Sequence, residues 1–178
     1  MMKYNWILLL VCMTGFSAVA QKKLMPVSAS SKINFVIKNF GINTKGDITG
    51  VKGTIVFDKK NLANSSFDVT ADVSTVNTAN SRRDNHLKAA DYFNATQFPV
   101  IRITGKPYRA NGDDFILKGT ITMKDVTRPV EIPFKATPQQ NGFLFKGAFT
   151  VNRLHFKVGG ESISLADELK VNLSVLAL

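Results

Sequence analysis

The sequence predicts an all-β chain of eight antiparallel strands closed into a lipocalin-like barrel, with one or two short helices in its long loops. Three observations carry that prediction. Apolar residues recur at every second position in eight separate stretches, Asn-Gly pairs stand between neighbouring stretches, and no charged residue falls on any of the eight apolar faces.

The chain opens with residues 1–20, which read as a targeting segment. Lys3 supplies the positive start, Trp6 to Phe16 is almost uninterruptedly apolar, and Ala18-Val19-Ala20 offers small residues for cleavage. The apolar run falls short of the roughly 20 residues a spanning helix needs, so cleavage after Ala20 and a periplasmic or secreted location are expected. A lipoprotein reading through Leu9-Leu10-Val11-Cys12 is disfavoured, because Val rather than a small residue precedes the cysteine. Removing the segment takes away Cys12 and Trp6, each the only one of its kind. The mature chain then has no disulfide, no thiolate metal site and no cysteine nucleophile. Its 158 residues suit one domain, stabilised by packing alone.

Residues 21–30 form a polar leader with Pro26 and no clear periodicity, and the barrel domain is expected over 31–178. Ile33, Phe35 and Ile37 mark the first strand, and Gly53, Ile55 and Phe57 the second. Phe67, Val69, Ala71 and Val73 make the third, and Ile101 and Ile103 the fourth. Phe115, Leu117, Gly119, Ile121 and Met123 make the fifth, and Val130, Ile132, Phe134 and Ala136 the sixth. The seventh is Phe143, Phe145, Gly147, Phe149 and Val151, and the eighth is Val171, Leu173, Val175 and Ala177. In each run the polar residues alternate with the apolar ones, as half-buried strands require.

Asn111-Gly112 and Asn141-Gly142 supply the positive φ that hairpin turns need, and 58–65 is a looser hairpin. The connections 39–50, 74–98 and 152–169 are long. In 74–98, Ser81-Arg82-Arg83-Asp84 has the serine-to-acid spacing of a helix start, followed by Leu87, Ala90 and Phe93 at helical intervals. In 152–169, Ser164-Leu165-Ala166-Asp167 reads as a second short helix. The tight connections all run from even to odd strands and the long ones from odd to even, with only 124–127 short among the latter. The barrel should therefore have a laced end and a loop-rich end, and a mouth belongs at the loop-rich end.

The stretch from Thr75-Val76-Asn77-Thr78 through Arg83-Asp84-Asn85-His86-Leu87-Lys88-Ala89-Ala90-Asp91-Tyr92-Phe93 to Phe98-Pro99 resembles the YceI-like family of periplasmic lipid-binding proteins. So do Gly119-Thr120-Ile121-Thr122-Met123-Lys124-Asp125-Val126-Thr127-Arg128-Pro129-Val130 and Asn152-Arg153-Leu154-His155-Phe156-Lys157-Val158-Gly159. The resemblance runs in order over nearly the whole mature chain. It implies an antiparallel barrel with an apolar tunnel for a polyisoprenoid or similar chain. Lys38-Asn39-Phe40-Gly41 departs from the family's usual basic residue followed by a small or apolar pair, so the first loop is expected to differ locally.

On this reading the tunnel is lined by Phe35, Ile37, Ile55, Phe67, Val69, Ala71, Ile101, Ile103, Phe115, Leu117, Ile121, Ile132, Phe134, Phe145, Gly147, Phe149 and Leu173. Taken without the resemblance, the phenylalanines would fill the interior. Gly53, Ala71, Gly119, Ala136 and Gly147 are small residues that leave volume between the rings. At the mouth stand Arg82, Arg83, His86, Arg153 and His155, either as head-group contacts or as caps and ties for the 74–98 loop. Without the targeting segment the chain carries +9, from 22 Lys and Arg against 13 Asp and Glu. Scattered lysines without a run of like charge read mostly as solvated strand faces.

Three functions follow, of which an isoprenoid quinone or polyprenyl phosphate carrier is the first and a fatty-acid or fatty-amide carrier the second. The third, of another class, is a hydrolase using Asp84, His86 and His155; two histidines in the whole chain make it the poorest match, and no catalytic residue is assigned. No cofactor or metal is expected, and the ligand is a non-covalently held lipid. Nucleic acid is excluded as a partner, because the aromatics share the face without charges. A transient membrane-surface contact and a homodimer are both compatible with the sequence.

Overall fold

In the computed structural model the described residues are 22–178; the segment read as a targeting signal, with its cleavage site after Ala20, lies outside them. Ten strands follow one another: β1 Lys23–Leu24, β2 Lys32–Asn39, β3 Ile42–Ile48, β4 Lys52–Val56, β5 Ser66–Asp72, β6 Val100–Asn111, β7 Asp114–Met123, β8 Val126–Gln139, β9 Gly142–Asn152 and β10 Leu165–Ala177. The α-helix α1, Ser81–Lys88, interrupts them between β5 and β6. All belong to one antiparallel sheet in the order β1-β4-β5-β6-β7-β8-β9-β10-β2-β3. The barrel is thus open, a sheet of ten strands curled into a half-barrel, where a closed sheet of eight was expected.

The two extra strands explain the difference. The 39–50 segment is not a long loop but a hairpin: Asn39 pairs with Ile42 and Ile33 with Ile48 across a two-residue turn. Phe40 and Gly41 take φ values of 48° and 75° there, the paired positive angles of a type I′ turn. Its signal is weak because Phe stands where Asn or Asp usually does, and because the inward positions of β3 include Thr44 and Gly46. Gly46 leaves room for Phe35: a Cβ at that position would meet the tip of the Phe35 ring on the paired strand and force it to move. β1 is too short to show a period, yet Lys23 and Leu24 pair with Val56 and Ile55 on β4. Leu24 is buried in the core, and Met25 exchanges backbone hydrogen bonds with Leu178. This N-terminal stretch therefore crosses the laced end between β4 and β10.

At the other end the gap between β3 and β4 is spanned by residues 49–51. The Asp72 amide donates to the Thr49 carbonyl, the Thr49 amide donates to Oγ1 of Thr75, and Asp47 bridges to Asn77. The chain after β5 thereby seals an edge that β3 leaves unpaired. The expected second helix at Ser164 to Asp167 is absent; Leu165 already pairs with Asn39 as the start of β10, and a bulge follows before Leu169. Only a 3-10 turn, Arg153–Phe156, stands in that connection. The predicted helix start is displaced by one residue, since Asn80 rather than Ser81 caps α1 by accepting from the Arg83 amide.

The interior has two unlike halves. Toward the laced end Phe57, Phe67, Phe115, Phe134, Phe143 and Phe145 pack with ring centroids 5.1 to 6.2 Å apart, most of them edge to face. Toward the loop-rich end the inward residues are mostly aliphatic, with Phe35 and Phe149 among them, and there the interior is not filled.

Candidate functional site: an apolar cavity with a polar mouth

Descending β7 from the loop-rich end, the inward positions read Met123, Ile121, Gly119, Leu117 and Phe115. Each step leads from open volume to packed rings. A cavity of about 370 Å³ occupies the upper half. Its walls are Ile33, Phe35 and Ile37 of β2, Ile101 and Ile103 of β6, Ile121 and Met123 of β7, Phe149 and Val151 of β9, and Leu169, Val171 and Leu173 of β10. Leu87, Tyr92 and Phe93 reach it from α1 and the turn after it. Volume and lining are those of a site for a small apolar ligand.

Of the tunnel residues inferred from sequence, Phe35, Ile37, Ile101, Ile103, Ile121, Phe149 and Leu173 line this cavity. Ile55, Phe67, Phe115, Leu117, Ile132, Phe134 and Phe145 lie buried in the packed core beneath it, with Val69 against them. Ala71 sits in a smaller cluster with Ile48 and Val76, onto which Leu87 of α1 packs. Gly147 faces backbone: a Cβ there would lie 2.7 Å from the Pro133 carbonyl oxygen. Gly119 and Gly53 are similar, since a Cβ at either would overlap a carbonyl oxygen of the neighbouring strand, Thr104 for the first and Asp68 for the second. These glycines let neighbouring strands approach and leave no room for a ligand.

The mouth is built from the loops after β5 and β9 and from the β2 to β3 turn. Asp84 Oδ1 accepts from the Thr78 amide and hydroxyl, while Arg83 donates from Nε to Thr78 Oγ1 and from Nη2 to the Thr78 carbonyl. Arg83 and Asp84 thus tie the start of α1 to the strand exit, and Arg83 also lines the cavity. His86 lines it too, bonded through Nε2 to Asp91 Oδ2 at 2.9 Å and edge-on to Tyr92. That hydrogen bond holds the Asp91 carboxyl below the usual carboxylate range.

Arg153 is buried, and its five N–H groups meet the carbonyls of Val158, Gly160, Leu165 and Ala166 and Oδ1 of Asp167. It borders the cavity but is fully engaged in shaping the 152–165 loop. Arg82 and His155 are exposed and do not line the cavity. The three residues of the hydrolase alternative are not linked to one another by hydrogen bonds, since Asp84 serves Thr78 and His86 serves Asp91.

Sequence reasoning did not single out Thr44, Thr78, Ser162 and Ser164, which add hydroxyls to the rim and walls. Nor did it find Tyr92, Phe93, Leu165 and Leu169 as lining. The helical spacing of Leu87 and Phe93 carried the signal for part of this set, while Thr44 belongs to a segment read as a loop and Ser164 to one read as a short helix.

An open antiparallel half-barrel with an apolar cavity beneath a polar mouth defines the structural class. The chain belongs to the YceI-like family, whose domain profile matches residues 26–177. It is 31% identical over 126 residues to Protein YceI of Shigella flexneri, an alignment covering 70% of this chain and 66% of that protein. The match thus spans slightly under two thirds of that relative. Among solved structures, BcnA of Burkholderia cenocepacia superimposes with a TM-score of 0.78 at 22% identity, over 83% of this chain and 96% of that one. A polyisoprenoid binding domain from Saccharophagus degradans, implicated in plant cell wall breakdown, superimposes with a TM-score of 0.70 at 12% identity, over 88% and 98%. Both likenesses concern the fold.

Proposed function

We propose that the chain is an exported binding protein, without catalytic activity, that carries an isoprenoid-type lipid with its tail in the cavity and its head group at the mouth. The observation that carries this reading is a largely apolar cavity of about 370 Å³ whose polar side chains gather at one end. Burial of a branched hydrocarbon there contributes roughly 25 cal/mol per Å² of apolar surface before the costs of association. Family membership and the fold shared with a polyisoprenoid binding domain support the same reading. Arg83 is the cation best placed for a phosphate or quinone carbonyl, because its Nη1 makes no hydrogen bond among the described residues. Arg82 and His155, exposed and off the cavity wall, act on the head group only at longer range. A quinone or polyprenyl phosphate fits the branched aliphatic lining; a fatty acid or amide competes for the same space.

Mass spectrometry of an organic extract from natively purified protein tests the proposal. An isoprenoid quinone or polyprenyl phosphate at near-stoichiometric amount is expected, and Leu173→Trp should cut its recovery at least fivefold while the protein stays folded. Repeated recovery of fatty acid alone, or of no lipid from either protein, defeats the isoprenoid assignment.

A further inference from the structure

The three most exposed large apolar side chains among the described residues are Ile163, Phe40 and Ile42, at 110%, 80% and 72%. Phe40 and Ile42 flank one turn and Ile163 is far from both in sequence, yet all three belong to segments that meet at the mouth. The Phe40 amide donates to the Ser164 carbonyl at 2.7 Å, which fixes the β2 to β3 turn against the segment holding Ile163. Ile42 pairs with Asn39, the last β2 residue to line the cavity. Ser162 and Ser164 also line the cavity, whereas Ile163 between them is fully in solvent.

Phe40 also lines the cavity at its mouth, whereas Ile42 and Ile163 do not. An aromatic residue is disfavoured in a left-handed turn, and a β-branched residue at full exposure contributes no packing. Among the nearby charges Lys38, Arg82 and Lys88, none with an acidic partner within ion-pair distance among the described residues, outnumber the exposed and equally unpaired Glu161 and Glu168, while Lys124 is held by the Ala90 and Lys157 carbonyls. An apolar tip flanked by cations is the pattern of a surface that seats in the interface of a bilayer.

We infer that Phe40, Ile42 and Ile163 form a rim that docks on a lipid bilayer surface and sets the cavity mouth against the membrane. The purpose rests on the lipid-carrier reading, since a cargo passing directly from bilayer to cavity never exposes its tail to water. Docking itself does not require cargo. It can therefore be tested on empty vesicles.

The experiment is co-sedimentation of the mature chain with vesicles of phosphatidylcholine alone and of phosphatidylcholine with phosphatidylglycerol, comparing wild type with I42S/I163S. Neither substituted residue lines the cavity, and both are exposed, so the melting temperature should hold. Wild type should bind the anionic vesicles more tightly than the neutral ones, and I42S/I163S should bind both at least about tenfold more weakly. F40S should weaken binding further. Unchanged binding in I42S/I163S, or wild type that sediments with neither vesicle, overturns the inference. So does a change from dimer to monomer in I42S/I163S with vesicle binding intact, which would make the rim a contact between two copies of the chain. Lipid loading from detergent solution separates this from the carrier reading. Loading retained in I42S/I163S with vesicle binding lost supports the rim, whereas failure of wild type to load while it still binds vesicles refutes only the carrier.

Discussion

A guanidinium taken out of water must find partners for all five of its N–H groups, and Arg153 finds four carbonyls and one carboxylate oxygen. Its role at the mouth is to hold the 152–165 loop in shape. Arg153→Met should cost about 3–5 kcal/mol in urea unfolding, because it strands carbonyls and Asp167 together, and Arg153→Lys should recover little because an ammonium cannot reproduce the fork. Arg83→Gln should cost much less, since Arg83 serves only Thr78, and should show instead in the capture of phosphate-bearing lipid. The carboxylates add a weaker pH term. The Arg102 hydrogen bond holds the Asp68 carboxyl below its usual range, so the pair stabilises the fold above the unfolded carboxylate value near 3.9 and is lost as pH falls through the lower folded value. Both partners are about half exposed, so the effect is small. A wild-type melting temperature above that of Asp68→Asn at pH 7, with the gap closing below about pH 3, is expected from thermal scans.

At the scale of elements the β2 to β3 hairpin is the informative case. Phe40 at φ 48° occupies a conformation that costs an ordinary residue about 1–2 kcal/mol, so Phe40→Asn should raise the melting temperature by a few degrees. No rise would mean that the Phe40 ring compensates through contacts its 80% exposure does not suggest. The glycines set the opposite expectation: at Gly119 a methyl group meets the Thr104 carbonyl oxygen and the paired Gly105, and Gly119→Ala should cost about 1–3 kcal/mol. These two cases also show what period-two reading could and could not reach. Strands whose inward residues are aliphatic or aromatic, such as β7 and β9, are legible because burial selects those residues. β3 is illegible because its inner face passes under Phe35 and through polar rim positions, where small and hydroxylated residues serve better. The split of the interior was equally hidden, since a phenylalanine that fills a core and one that lines a cavity occupy the same place in an alternating pattern.

For the whole molecule, the boundary between the aliphatic and aromatic halves fixes how deep a ligand can go. Along β2 the lining runs from Asn39 to Ile33, six residue steps or roughly 20 Å of strand, and the tilt of barrel strands shortens this to about 15 Å of depth. A hydrocarbon chain advances about 1.25 Å per carbon at ordinary bond lengths and angles, so about a dozen backbone carbons reach the phenylalanines. Longer tails must fold back or protrude at the mouth. Phe145 and Phe67, 5.3 Å apart between ring centroids, belong to the packed core beneath the cavity without lining it, and Phe145→Ala should extend the cavity downward at a stability cost of about 3–5 kcal/mol. Competition between two lipids of one head group and different tail length removes that cost from the comparison, because only folded protein binds either. Wild type should prefer the tail matching the present depth, and Phe145→Ala should shift the ratio toward the longer one by about one isoprene step, a volume change small enough to leave the mouth contacts unchanged. A ratio that moves equally in a Val175→Ala variant, on the strand paired with Phe145, would show that general loosening rather than the aromatic floor sets tail length.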